Sequence, residues 1–210
     1  MTMPKDEKSK MKIGVMGFGV VGKAIAGTFS KAFDIVRYDK FVKYDDFKLL
    51  KFCDFIFVSV PTPFDCKQNK IDDSAVIESL ENLEKLNYDK IVIIKSTVPP
   101  GYCDKYSSAF NLDIVFNPEF LRESISPNED FANQEIVVLG TPSQSFFTIV
   151  KNLYNKVLKS NVIYHHTSII EAEMIKYSQN TMLASRVSLA NMIYDACESI
   201  GVNYDQVREI

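Results

Sequence analysis

Gly17-Phe18-Gly19-Val20-Val21-Gly22 stands between the apolar run Lys12–Met16 and a helix-patterned segment, Val20–Lys31, and constrains this chain more than any other feature. A strand that turns into a helix within so few residues needs glycine to permit the tight turn, to leave the backbone bare and to let helix and strand approach. Strand-like runs then recur near Ile35–Tyr38, Phe55–Val60, Ile91–Lys95, Asp113–Phe116, Ile136–Leu139 and Val162–Tyr164. Helix-like segments alternate with them near Asp72–Leu86, Tyr102–Phe110 and Ser143–Lys156. Such alternation predicts an α/β chain: a doubly wound parallel sheet wrapped by helices on both faces. Residues 39–51 are too few for an assignment.

From Thr167 to about Ile200 the chain reads as one long helix, with Gly201 placed to end it. The expected organisation is a solvated leader over 1–10, a Rossmann-like domain over 11–166, and a long connecting helix over 167–210 leading to a second domain outside this chain. Packing of the helix back onto the sheet, or against another copy of itself, is the alternative. Its apolar positions Ile169, Ile170, Ile175, Leu183, Leu189 and Ile193 need cover, which predicts a homodimer formed through it.

Charge and composition exclude several classes of partner. With 46% hydrophobic residues, 24% charged residues and a net charge of −3, the chain is an ordinary globular sequence, with no basic excess to attract nucleic acid or an anionic membrane. No apolar run approaches the ~20 residues that span a bilayer, and Met1–Lys10 lacks the apolar centre of a signal peptide. Cys53, Cys66, Cys103 and Cys197 show neither metal-ligand spacing nor a secreted framework, so no metal and a reducing compartment, the cytoplasm, are expected.

The glycine turn exposes backbone N–H groups at the positive end of a helix dipole, a seat for a pyrophosphate. About twenty residues on, Asp39 ends the second strand, where a carboxylate accepts both hydroxyls of an adenosine ribose and disfavours the extra phosphate of NADP. NAD is therefore the expected cofactor, held by Gly17, Phe18, Gly19, Val20, Val21, Gly22 and Asp39. Three later strands run into loops of unusual composition: Ser59-Val60-Pro61-Thr62-Pro63, Ser96-Thr97-Val98-Pro99-Pro100-Gly101 and Asn117-Pro118-Glu119-Phe120-Leu121-Arg122-Glu123. Ligands of open parallel sheets sit outside the carboxyl ends of the strands, and prolines stiffen these loops so that hydroxyls such as Thr62 and Thr97 are held in place.

The last two of those loops, together with Ala172-Glu173-Met174-Ile175-Lys176-Tyr177-Ser178-Gln179-Asn180, resemble the distinctive motifs of the UDP-glucose/GDP-mannose 6-dehydrogenase family, in the family's order and over roughly Met11 to Ile210. The resemblance implies an enzyme of polysaccharide biosynthesis that uses NAD to oxidise the 6-hydroxymethyl group of a nucleotide-sugar, UDP-glucose above all, to the uronic acid. It adds Val60, Thr62, Thr97 and Glu123 to the cofactor contacts and assigns Glu119, Phe120, Leu121, Arg122 and Glu123 to the sugar, largely through backbone. It makes Lys176 and Asn180, four apart on one helix face, the groups that stabilise the developing oxyanion with an ordered water. Glu123 takes acid–base work through water, with Thr97 as hydrogen-bond partner.

The family's nucleophilic cysteine lies beyond the connecting helix, and none of the four cysteines here matches it. Three departures stand out: about fifteen residues between Asp39 and the third strand, no small-residue pattern over Ser124–Asp130, and Asn133-Gln134-Glu135 where an arginine is typical. Two other readings stay open: a module that binds NAD or a nucleotide-sugar without oxidising it, and a single-oxidation β-hydroxyacid dehydrogenase, a related group that also has a Lys with an Asn four residues later.

Overall fold

Strands apolar at every position can exist only in a sheet covered on both faces. The computed structural model describes residues 10–121 and 126–209. Its strands are β1 (Lys12–Met16), β2 (Asp34–Tyr38), β3 (Phe55–Val58), β4 (Phe64–Asp65), β5 (Lys70–Ile71), β6 (Val92–Ile94), β7 (Ile114–Phe116), β8 (Ile136–Gly140) and β9 (Ile163–Thr167). Its helices are α1 (Val20–Phe29), α2 (Ser74–Lys85), α3 (Tyr102–Ala109), α4 (Pro127–Ala132), α5 (Gln144–Tyr154), α6 (Ile169–Ile200) and α7 (Tyr204–Arg208).

Seven strands form one sheet in the order β2-β1-β3-β6-β7-β8-β9, while β4 and β5 make a small hairpin beyond Pro63. Alternate strand residues feed two cores. Met16, Ile56, Val58, Val92, Ile94 and Phe116 meet α2, α3 and the start of α6 on one face. Ile13, Val15, Phe55, Phe57, Ile93 and Val115 meet α1, α4 and α5 on the other. The sheet is parallel from β2 to β7; β8 joins antiparallel, through Phe116 opposite Gly140, and then pairs parallel with β9. Gly140 lets α6 cross at this join, since a Cβ there would lie 2.7 Å from the Ala172 Cβ and 3.0 Å from the Ile169 Cα.

The doubly wound sheet and the long helix are as expected from the sequence, with shifted ends. α2 starts at Ser74 because the expected acidic start acts outside the helix, the Asp72 carboxylate accepting from the Ser74 N–H at 3.0 Å. Residues 39–51 hold the start of a 3-10 turn, Phe47–Phe52, capped by Asp46. The hairpin and α4 are elements without an assignment from sequence, and α7 is a separate short helix within the stretch 167–210 expected as the long helix. α6 opens with a capping box, Ser168 accepting from the Glu171 N–H and Glu171 from the Ser168 N–H, and ends at Gly201 with φ +69°. Only its first turns are seated on the sheet; from Ser178 to Ile200 every residue is exposed except Ala190 and Cys197. No helix among the described residues is long and apolar enough to cross a membrane.

Candidate functional site

The glycine turn is fixed by contacts that leave two of its glycines no substitute. Gly17 has φ +83°, donates its N–H to Tyr38 O at 2.9 Å, and lies so close to β3 that a Cβ would stand 2.5 Å from Ser59 O. A Cβ on Gly22 would stand 2.1 Å from Gly17 O. Gly19, the N-cap of α1, is different: a Cβ there meets no protein atom within 4 Å. Packing therefore does not demand glycine at 19, and the bare backbone faces open space, as a phosphate cradle requires.

Asp39 closes the turn from the end of β2. Its Oδ2 accepts from the Phe18 N–H at 2.9 Å, and its Oδ1 from the N–H groups of Phe41 at 2.9 Å and Val42 at 3.2 Å. Partial burial works to raise its pKa, but the three backbone N–H groups and nearby Lys23 outweigh it and hold the carboxyl below the ordinary value of 3.8.

Hydroxyls at the strand ends tie neighbouring loops to one another. Ser59 Oγ donates to Gly17 O at 2.8 Å, Ser96 Oγ to Val60 O at 2.7 Å and Thr62 Oγ1 to Thr97 O at 2.7 Å. The result is one cleft of about 730 Å³, within the range of small-molecule sites, that brings together Gly17, Gly19, Val20, Val21, Asp39, Val60, Thr62, Thr97, Glu119, Leu121 and Lys176. Phe18 and Gly22 shape the turn from behind it, and Phe120 lines a neighbouring cavity. Asn180 is exposed and does not line the cleft; Arg122 and Glu123 lie outside the described residues. The opposite wall went unread in the sequence: Phe41, and Ala75, Glu78 and Ser79 of α2, with Lys40 and Glu78 paired at 2.7 Å. Its only local signal is that α2 is the helix following a Pro-rich strand end.

At the cleft, which Lys95 and Glu119 both line, lies a buried polar cluster that sequence reading also missed. The Lys95 ammonium, with no exposed side-chain surface, sits 2.9 Å from Glu119 Oε2 and donates to Asn117 Oδ1 at 3.0 Å. Tyr154 OH donates to the same Asn117 oxygen, and the Asn117 amide donates to Val138 O at 2.7 Å. Glu119 Oε1 accepts from the N–H groups of Phe120 at 2.8 Å and Leu121 at 3.1 Å, and Glu119 O accepts from the Lys176 ammonium. A lysine closing an apolar strand just before Ser96 is the one sequence cue to this cluster. On the far side of the 119–121 loop is the neighbouring cavity, of about 660 Å³, bounded by Gln134, Glu135, His165, Ile175 and Gln179.

The buried carboxylate of Glu173 accepts from the N–H groups of Gly101 at 2.5 Å and Cys103 at 2.8 Å, so a residue of α6 caps α3. Burial, with the Glu173 carboxylate beside it, pushes the Cys103 thiol far above its ordinary value. Burial pushes Cys53 up to about 12. Neither is a thiolate near neutral pH.

Residues 39–158 match the model described as UDP-glucose/GDP-mannose dehydrogenase family, NAD binding domain, and residues 170–210 match the central domain of that family. UDP-glucose 6-dehydrogenase of Rickettsia typhi is 33% identical over 156 residues, 71% of this chain and 36% of that protein. UDP-glucose 6-dehydrogenase TuaD of Bacillus subtilis is 34% identical over 165 residues, 74% of this chain and 35% of that protein. The chain thus spans about a third of the length of the curated relatives it matches. In fold it is similar to a UDP-glucose dehydrogenase from Pyrobaculum islandicum, with a TM-score of 0.82 at 23% identity over 100% of this chain and 58% of the other.

Proposed function

The chain belongs to the UDP-glucose/GDP-mannose dehydrogenase family, and from that premise we propose that it is the cofactor-binding half of an NAD-dependent nucleotide-sugar 6-dehydrogenase, with UDP-glucose the favoured substrate. The observation that carries this reading is the meeting, in one cleft, of the bare Gly19 backbone, the Asp39 carboxylate, the Thr62 and Thr97 loops and the Lys176 ammonium. The residues present fit NAD. Gly19 leaves room where no protein atom competes, and Asp39 Oδ2, which carries one backbone bond, can accept a ribose hydroxyl as a second.

NAD, when bound, supplies the hydride acceptor. The α1 N-terminus and the N–H groups of the glycine turn bind its pyrophosphate, and Thr62, Thr97 and Val60 bound the space beyond. The Lys176 ammonium stabilises negative charge on the substrate oxygen as the alcohol proton leaves, with Asn180 one turn further along α6 and Glu123 serving acid–base work. Residues 119–123 hold the sugar, chiefly by backbone. A homodimer through α6 and a cytoplasmic setting complete the proposal.

Incubation with NAD and UDP-glucose tests it by counting NADH formed per sugar. Two supports the full oxidation to the uronic acid. One supports the β-hydroxyacid type of single oxidation, and none, with NAD still bound, supports a binding module. Failure of NAD to bind sinks the cofactor reading itself.

A further inference from the structure

A lysine with no exposed side-chain surface is costly to keep charged, and burial does push the Lys95 ammonium below the ordinary lysine range, against the pull of Glu119. Such a group persists in a fold when its partners are numerous and fixed. Here they are Glu119 Oε2 at 2.9 Å, Asn117 Oδ1 at 3.0 Å and Pro118 O at 3.4 Å, with the Phe131 ring 5.3 Å away. All three polar partners belong to one loop, the segment leaving β7.

Glu119 bridges Lys95 to the cleft. One carboxylate oxygen faces the Lys95 ammonium while the other gathers the N–H groups of Phe120 and Leu121, folding the loop into a turn over its own side chain. The carbonyl of the same residue points the other way and accepts from Lys176 on α6. Two lysines therefore pin one residue, the buried Lys95 by its carboxylate and Lys176 by its carbonyl. The Phe120 ring, 5.5 Å from the Lys176 ammonium, completes the seat.

We propose that Lys95 is a positioning residue: its buried ammonium, acting through the Glu119 carboxylate and the turn folded on it, fixes the carbonyl on which Lys176 rests. Lys95 touches neither sugar nor cofactor in this role. It sets where the Lys176 charge stands and how many neighbouring charges it feels. Other ionisable groups also stand around the loop and Lys176: the Tyr154 hydroxyl, held on Asn117, and the Glu173 carboxylate, held on the α3 amides; Asp130, Glu135 and His165 at the neighbouring cavity; and Asp39, Asp72 and Glu78 along the cleft. The proposal rests on the reading of Lys176 as the group that faces substrate, and a UDP-glucose titration of wild type and Lys176→Met with NAD present tests that reading separately from the experiment below.

The experiment follows acetylation of Lys176 in the intact chain as a function of pH, by mass spectrometry of its peptide, in wild type, Lys95→Met and Lys95→Met/Glu119→Gln. Removing the buried positive charge leaves Glu119 unpaired, so the Lys176 midpoint rises by about one pH unit in Lys95→Met. The added Glu119→Gln change restores the local charge balance, and its amide oxygen can still accept from Phe120 and Leu121, so the double variant returns to within about 0.3 unit of wild type. A folded Lys95→Met with an unmoved midpoint overturns the proposal. If Lys95→Met does not fold, refolding by the added Glu119→Gln with a wild-type midpoint supports it, because a generally structural lysine is not rescued by removing one chosen carboxylate. A double variant that stays unfolded, or folds with a displaced midpoint, overturns it.

Discussion

Gly19 and Gly22 lie three residues apart in one motif and answer to different forces. A methyl on Gly22 drives into Gly17 O at 2.1 Å, so Gly22→Ala should lose about 1–3 kcal/mol in urea unfolding, the usual range for overpacking. A methyl on Gly19 meets nothing within 4 Å; Gly19→Ala should leave stability within about 0.5 kcal/mol and weaken NAD about tenfold or more in a calorimetric titration. Asp39 adds a pH dependence whose sign follows from its lowered pKa. Its stabilisation of the turn is fully present above the ordinary value of 3.8 and is lost as pH falls through the lower folded value. The Phe18 amide resonance, reporting its bond to Asp39, should therefore stay flat from neutral pH to about 4.5 and move only below; movement near pH 6 would assign control to another group. Thiols divide in the same residue-by-residue way. Cys53 and Cys103 are buried with raised pKa values and Cys66 is exposed, so a thiol reagent at neutral pH should modify Cys66 first and leave Cys53 and Cys103 unreacted until the chain unfolds.

At the scale of elements, one carboxylate decides how α6 meets the sheet. Glu173 caps α3 at Gly101 and Cys103 from α6, three residues before Lys176, so the same contact seats the long helix and aims its lysine into the cleft. Glu173→Ala leaves two N–H groups without their acceptor and should cost about 2–5 kcal/mol, with faster hydrogen exchange at Gly101 and Cys103. Unchanged exchange at those amides would show that the cap does not hold the junction. No pattern in the sequence announces this pairing, since it joins residues 72 and 70 apart, and the same is true of Lys95 with Glu119. What sequence does carry is local. Uniformly apolar strands require two covering layers, the glycine turn requires a strand before it and a helix after it, and Ser168 with Glu171 requires a helix start. The hairpin of β4 and β5 and the six residues of α4 are too short for periodicity to separate from loop, although Pro127 at the start of α4 was a usable cue. Helical spacing sets Asn180 one turn beyond Lys176, and the structure leaves it exposed, outside the lining of the cleft.

The whole molecule has a domain whose central strands are buried on both faces and a helix that is bare over most of its length. Within α6, Ile175, Met182 and Leu189 recur every seven residues with exposures of 39%, 61% and 58%, flanked by Met192 at 67%. Apolar side chains repeating at that interval make a continuous seam along a helix, which is the geometry a second helix covers. The family match assigns this stretch, residues 170–210, to the central domain rather than to the NAD binding domain matched over 39–158. Pairing with a second copy buries the seam using the residues at hand; Lys176, next to Ile175 at the seam's first position, is held on Glu119 of the domain. The chain should accordingly run as a dimer in light scattering at about 10 µM, and Met182→Glu with Leu189→Glu should convert it to monomer, since a charge placed in an apolar seam stays unpaired in both copies. NAD affinity should not change in that variant, because neither position lines the cleft. A wild-type chain that is monomeric at the same concentration would leave the seam to another partner and remove the homodimer from the proposal.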